Sequence, residues 1–297
     1  MRQFQHTISR PVEFSGVGLH SGVPSAARIL PAAPGTGILF RRTDVGAEIP
    51  ASVENVAETA YATVLSSDGV RIATVEHFMA ALFGMEIDNA VVEVNAPELP
   101  ILDGSGLAIA KGIASAGSAA QPARRRYLRI FENDRIRRNG SMITMAPSVD
   151  LEILVTVDFP GTAIGRQWAK YTQTPENFLR EIAPARTFVL REQIEALRSV
   201  GLARGGSLDN AIVVDGADVH NTEGLRFPDE FARHKLLDFL GDIALLGRSL
   251  RGSFVAVRPG HTVNHDLTEY LAAAGSSGFD ERRVAAGESP EAIPVTA

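Results

Sequence analysis

Cysteine is absent from the 297 residues, which excludes disulfides and thiolate metal sites together. Any metal must therefore be held by His, Asp or Glu. No run reaches the roughly 20 uncharged apolar residues that a membrane span needs. The N-terminus, Met1-Arg2-Gln3-Phe4-Gln5-His6, lacks the apolar core of a signal peptide, so the cytoplasm is the default compartment. An excess of basic charge is missing too. A net charge of −6 and a pI near 5.7 argue against a general nucleic-acid binder, although Arg124, Arg125 and Arg126 are consecutive. No basic-aromatic pattern suggests an RNA surface. His-Glu-x-x-His is absent as well, and with it the helix motif of one class of zinc peptidase.

What is present is an ordinary globular composition, 45% hydrophobic and 22% charged, long enough for two domains. β-Branched runs at 90–94, 151–157 and 253–257 read as strands. Apolar periodicity predicts helices at 75–83, 106–116, 191–200, 229–246 and 267–274. Two segments echo each other. Glu76-His-Phe-Met-Ala-Ala-Leu-Phe-Gly84 aligns with Arg233-His-Lys-Leu-Leu-Asp-Phe-Leu-Gly241, and a strand, a Pro/Gly loop and a second helix follow each. Either an α+β unit is duplicated or two amphipathic helices are alike by chance. Ser, Ala, Gln and Pro at 118–126, just after Gly117, mark the expected seam, between domains at 1–122 and 127–275. The segment 276–297, without apolar periodicity, is expected to be a mobile tail.

His234 and Asp238 are four residues apart, so a helix projects an imidazole and a carboxylate from one face. Asp242 continues that stripe. Taken alone, the pattern equally fits a solvated polar face or a His–Asp hydrogen bond. The echo adds His77 at the position of His234. If the two halves pack with approximate two-fold symmetry, His77, His234 and Asp238 form a three-ligand site, which leaves a tetrahedral position open as catalytic zinc requires. Glu76, next to His77, is placed to act as a base, or is simply a first-turn Glu favoured by the helix dipole. His261, in Arg258-Pro-Gly-His261, reads as a loop residue. It is either an ordinary surface His or a cation that stabilises an oxyanion, with Asp242 raising its pKa.

Ordered blocks run along most of the chain: Gly16-Val-Gly-Leu-His-Ser-Gly22, Phe40-Arg-Arg-Thr-Asp44, Thr74-Val-Glu-His77, Ile87-Asp-Asn-Ala90, Leu102-Asp-Gly-Ser105, Ala185-Arg-Thr-Phe188, Gly205-Gly-Ser207, Asn210-Ala-Ile-Val-Val-Asp215, Gly224-Leu-Arg-Phe227, Arg233-His-Lys-Leu-Leu-Asp238 and Gly260-His261. In these the chain resembles the UDP-3-O-acyl-N-acetylglucosamine deacetylases of lipid A synthesis. The resemblance implies an α+β fold of two similar domains, each a sheet with helices, stacked with the helices between the sheets. It implies hydrolysis of the N-acetyl group of an acylated UDP-sugar by a zinc enzyme, expected to be monomeric. His77, His234 and Asp238 match its Zn2+ ligands, Glu76 its base, His261 its catalytic His held by Asp242, and Thr187 a hydroxyl at the oxyanion. Lys235, His20 and Phe188 match substrate-site positions, and Thr63 and Arg258 are further candidates for substrate contact. A βαβ insert at about 190–214 is expected to hold the acyl chain, with Leu190 and Ile194 either lining the passage or facing the core. Gly206, with Gly205, turns the chain there and is a further candidate contact. One departure is Pro160-Gly161-Thr162, where many relatives carry His-Pro. The rival readings are a non-catalytic UDP-sugar-binding module and an acidic RNA-binding protein.

Overall fold

Along 151–159 every second side chain is buried (Leu151, Ile153, Val155, Val157) and those between are partly exposed, the signature of a strand with one face on a core. The same period recurs through two main sheets in the computed structural model, which describes residues 2–277.

The first half begins with β1 (Phe4–Ile8) and continues through β2 (Val12–Val17), β3 (Pro24–Pro31), β4 (Ile38–Arg42) and β5 (Ala47–Pro50). A small sheet of β6 (Val56–Glu58), β7 (Val64–Ser67) and β8 (Val70–Ile72) leads into α1 (Glu76–Gly84). Then come β9 (Ala90–Val94), α2 (Leu107–Ala116) and β10 (Ser118–Arg124). The second half holds β11 (Tyr127–Arg129), β12 (Asp134–Arg138), β13 (Ser141–Ala146), β14 (Leu151–Phe159) and β15 (Gly165–Thr172). A short turn, α3 (Pro175–Asn177), precedes β16 (Phe188–Leu190), α4 (Arg191–Ser199), β17 (Ile212–Asp215) and β18 (Asp218–Val219). The site-bearing α5 (Glu230–Ala244), β19 (Ser249–Val257) and α6 (His261–Ser277) complete it.

The echo is a true duplication of topology. One sheet has the order β2-β3-β9-β4-β5 and the other β12-β13-β19-β14-β15. In each, the strand after the echoed helix lies at the centre, antiparallel to one neighbour (β3, β13) and parallel to the other (β4, β14). Helices lie between the sheets: α1 packs on α5, α2 on β2, and α6 on β12 and β13. Both central helices are buried on nearly every side, as helices in the middle layer must be. The glycines shared by the echo are points of close approach. A Cβ on Gly241 would lie 2.1 Å from the Glu76 carbonyl oxygen, and one on Gly84 would lie 2.3 Å from the Phe178 ring, so only hydrogen fits at either.

Two expectations are corrected. Residues 118–124, whose Ala/Ser/Gln/Pro composition resembles a linker, form strand β10, paired antiparallel with β1, because tertiary pairing overrides weak local preference. The last helix starts at His261, not near 267, because Asn264, His265 and Asp266 obscure the apolar period of its first two turns. That helix also runs to Ser277, so the expected tail overlaps it at 276–277 and otherwise falls outside the described residues. The insert forms as a βαβ unit: β16 and β17 are parallel, Phe188 opposite Ile212, with α4 between them.

Candidate active site

The crossing of α1 and α5 brings the echoed helix starts together. Thr74, with a left-handed φ of 60°, turns the chain into α1 and donates its hydroxyl to Glu98 Oε1 at 2.9 Å. Glu76 and His77 then open the helix. From α5, His234 and Asp238 project one turn apart. His234 Nε2 lies 3.3 Å from Asp238 Oδ1, and His77 Nε2 lies 3.8 Å from the same oxygen. One ligand atom from each of the three buried residues falls within 4.8 Å of the others.

Their protonation suits a cation. Burial, then the neighbouring His234, pushes the His77 imidazole down to about 3, and burial lowers His234 as well, so both rings are neutral. Burial alone raises Asp238, but His234 and Lys235 outweigh it and hold the carboxyl below its ordinary range. His234 Nδ1 donates to the Ala185 carbonyl at 3.2 Å, which leaves the Nε2 lone pair facing Asp238. His77 Nδ1 is buried without a hydrogen-bond partner. Two neutral imidazoles and one carboxylate are a fitting donor set for Zn2+.

Beside these groups lies a second, hydrogen-bonded cluster. Asp242, one turn beyond Asp238, accepts His261 Nδ1 at 2.9 Å and Asn264 Nδ2 at 2.8 Å through Oδ2, and the Thr63 hydroxyl at 2.6 Å through Oδ1. Burial works against charge on His261, but the charge and hydrogen bond of Asp242 raise it to about 9. The Thr63 backbone N–H donates to Glu76 Oε2 at 3.0 Å. Burial pushes the Glu76 carboxyl up to about 7, opposed by His261 and assisted by Asp238 and Asp242. A base and a cationic acid with displaced pKa values thus face one cleft.

The cleft has a volume of about 650 Å³, and Glu76, His77, His234, Asp238 and His261 line it. So do Thr187, Phe188, Lys235 and Arg258. Lys235 Nζ donates to Asp238 Oδ2 at 2.8 Å and sits 5.6 Å from the centre of the Phe188 ring. Among the other residues singled out from sequence, Asp242 and Thr63 stand behind the wall, each 2% exposed. His20 sits where the first half meets the insert: its carbonyl accepts Arg204 N at 3.1 Å and its Nδ1 accepts Ala203 N at 3.4 Å. Gly206 belongs to that same loop. Leu190 packs against the core, and Ile194 is partly buried on α4. His261 is the first residue of α6, not a loop residue.

Three supports escaped sequence reading. Buried Glu98 accepts the backbone N–H groups of His20 at 2.8 Å and Ser21 at 2.7 Å, besides the Thr74 hydroxyl. Asn264 braces Asp242. Buried Arg186 binds Glu230 Oε1 at 2.9 Å through Nε, which anchors the segment carrying Ala185 and Thr187 to the start of α5. Only the blocks Ala185-Arg-Thr-Phe188 and Gly224-Leu-Arg-Phe227 hinted at that anchor.

Residues 5–273 match the family model described as UDP-3-O-acyl N-acetylglycosamine deacetylase. A UDP-3-O-acyl-N-acetylglucosamine deacetylase of Anaeromyxobacter dehalogenans is 46% identical over 269 residues, 91% of this chain and 87% of the relative. Proteins of the same name from Myxococcus xanthus (46% over 265 residues; 89% of this chain, 84% of the relative) and Phenylobacterium zucineum (43% over 274 residues; 91% and 94%) are similar as well. With a matching model over nearly its whole length and relatives at this identity, the chain belongs to the UDP-3-O-acyl N-acetylglycosamine deacetylase family.

Proposed function

We propose that the chain hydrolyses the N-acetyl group of UDP-3-O-acyl-N-acetylglucosamine, with Zn2+ held by His77, His234 and Asp238. Acetate and the free 2-amino sugar are the products, a step of lipid A synthesis. The single observation that carries this reading is the convergence of His77, from one half of the chain, with His234 and Asp238 from the other.

A Zn2+ in that donor set supplies Lewis acidity at the acetamide and lowers the pKa of the attacking water towards neutrality. The remaining work falls to the chain. Glu76, held by the Thr63 N–H, takes the proton of the water as it attacks the carbonyl carbon. The Thr187 hydroxyl and cationic His261 face the negative charge that develops on the carbonyl oxygen. Asp242 keeps His261 protonated and fixes which ring nitrogen faces away from the cleft. When the C–N bond breaks, a proton from Glu76 or His261 goes to the departing amine. Lys235, Arg258 and Arg138 give the cleft positive charge for a nucleotide diphosphate, and Phe188 offers a ring to the sugar or acyl chain. Leu190, Ile194 and Gly206 belong to the insert proposed to receive the acyl chain.

No helix among the described residues is long and apolar enough to cross a membrane. The proposed setting is the cytoplasm, with the protein acting as a monomer. The direct test is to supply the acylated UDP-sugar and measure acetate and free amine together. Equal release that a chelator stops and Zn2+ restores supports the assignment; release that chelation does not affect removes the metal from it.

A further inference from the structure

The outer face of the second sheet carries an unexpected surface. Strand register aligns two rows across five of its six strands: Arg135-Thr144-Val255-Leu154-Lys170 and Arg137-Met142-Val257-Thr156-Trp168. The alternate residues Ile143, Val155, Ala169 and Ala256 are buried in the core, so both rows point away from it. Trp168 is 63% exposed and Val255 37%. Leu154, Val257 and Met142 are partly exposed beside them. The result is an apolar centre with cations on both edges, about 19 Å across at ordinary strand spacing. Asp158 on this face is paired with Arg166 at 3.1 Å, which leaves Arg135, Arg137 and Lys170 with Glu152 as the other acid of the two central strands. In a chain of net charge −6 this is a local reversal of sign.

We propose that this face rests on an anionic lipid bilayer. Exposed apolar side chains, a tryptophan and flanking arginine and lysine are the chemistry that binds the interfacial layer of such a membrane. Charge complementarity selects this occupant over a second copy of the chain. Both edges are basic, so two such faces laid together set cation against cation. Position adds to the case: Ser141 and Arg258, chain neighbours of Met142 and Val257, line the catalytic cleft. A bilayer under this face therefore lies beside the cleft mouth. Catalysis is not required for the contact, so Glu76→Gln protein binds equally well.

Trp168 is the only tryptophan in the chain, so its fluorescence reads the surface directly. Full-length protein is titrated with phosphatidylglycerol vesicles and, separately, with phosphatidylcholine vesicles. The expected result is a blue shift with the anionic vesicles alone, reversed at high salt. The double variant Arg135→Gln/Lys170→Gln weakens partitioning roughly 30-fold, with thermal unfolding and vesicle-free acetate release unchanged. No shift with anionic vesicles overturns the proposal, as does a shift indifferent to salt and to the double variant. A shift that appears without vesicles and grows with protein concentration also overturns it, in favour of a second copy.

Discussion

Asp242 holds His261 through Nδ1 at 2.9 Å, and both groups are buried. A buried cation without that carboxylate loses its partner and reverts to neutral imidazole. Asp242→Asn is therefore expected to lower kcat by about 100-fold and to move the alkaline fall of activity to lower pH. An alkaline limb in the variant that coincides with wild type would separate Asp242 from the charge on His261.

The pH profile follows from two displaced groups with opposite requirements. The base must be ionised, so activity falls as pH drops through the pKa of Glu76, raised by burial to about 7. A bound cation next to Glu76 pulls that value down, and apo protein titrates higher than the loaded enzyme. His261 must stay protonated, so activity also falls as pH rises through about 9. A bell-shaped kcat/KM profile is expected, with His261→Ala losing its alkaline limb and Glu76→Gln losing at least 100-fold in rate. An identical profile in wild type and His261→Ala would remove His261 from this role.

Gly241→Ala tests the helix crossing. The added methyl group would lie 2.1 Å from the Glu76 carbonyl oxygen, a backbone atom that cannot swing aside. Overpacking of this kind costs about 1–3 kcal/mol, read from chemical denaturation. Because α1 carries His77, zinc affinity falls with it. Unchanged stability and metal binding would mean that the two helices are free to separate at little cost.

The helix face of His234 and Asp238 was legible because four-residue spacing is a local property, and His77 because the echo repeated it. The shared glycines were visible in the echo too, but their purpose appears only where α1 and α5 touch. Glu98 was not legible: it accepts amides from residues 77 and 78 positions away, a relation with no local periodicity. Thr63 was read as a contact to substrate, whereas its neighbours in the fold are Glu76 and Asp242, 13 and 179 positions away. Strand β10 escaped because β1, more than 100 residues distant, supplies its hydrogen bonds.

The metal content of wild type and His77→Ala, prepared together and assayed on the same samples for acetate release, tests the shared site most directly. Wild type is expected to hold about one zinc per chain, as a three-ligand catalytic site does, and the variant to lose both the metal and nearly all activity. A variant that keeps its zinc and its rate would show that the first half contributes no ligand.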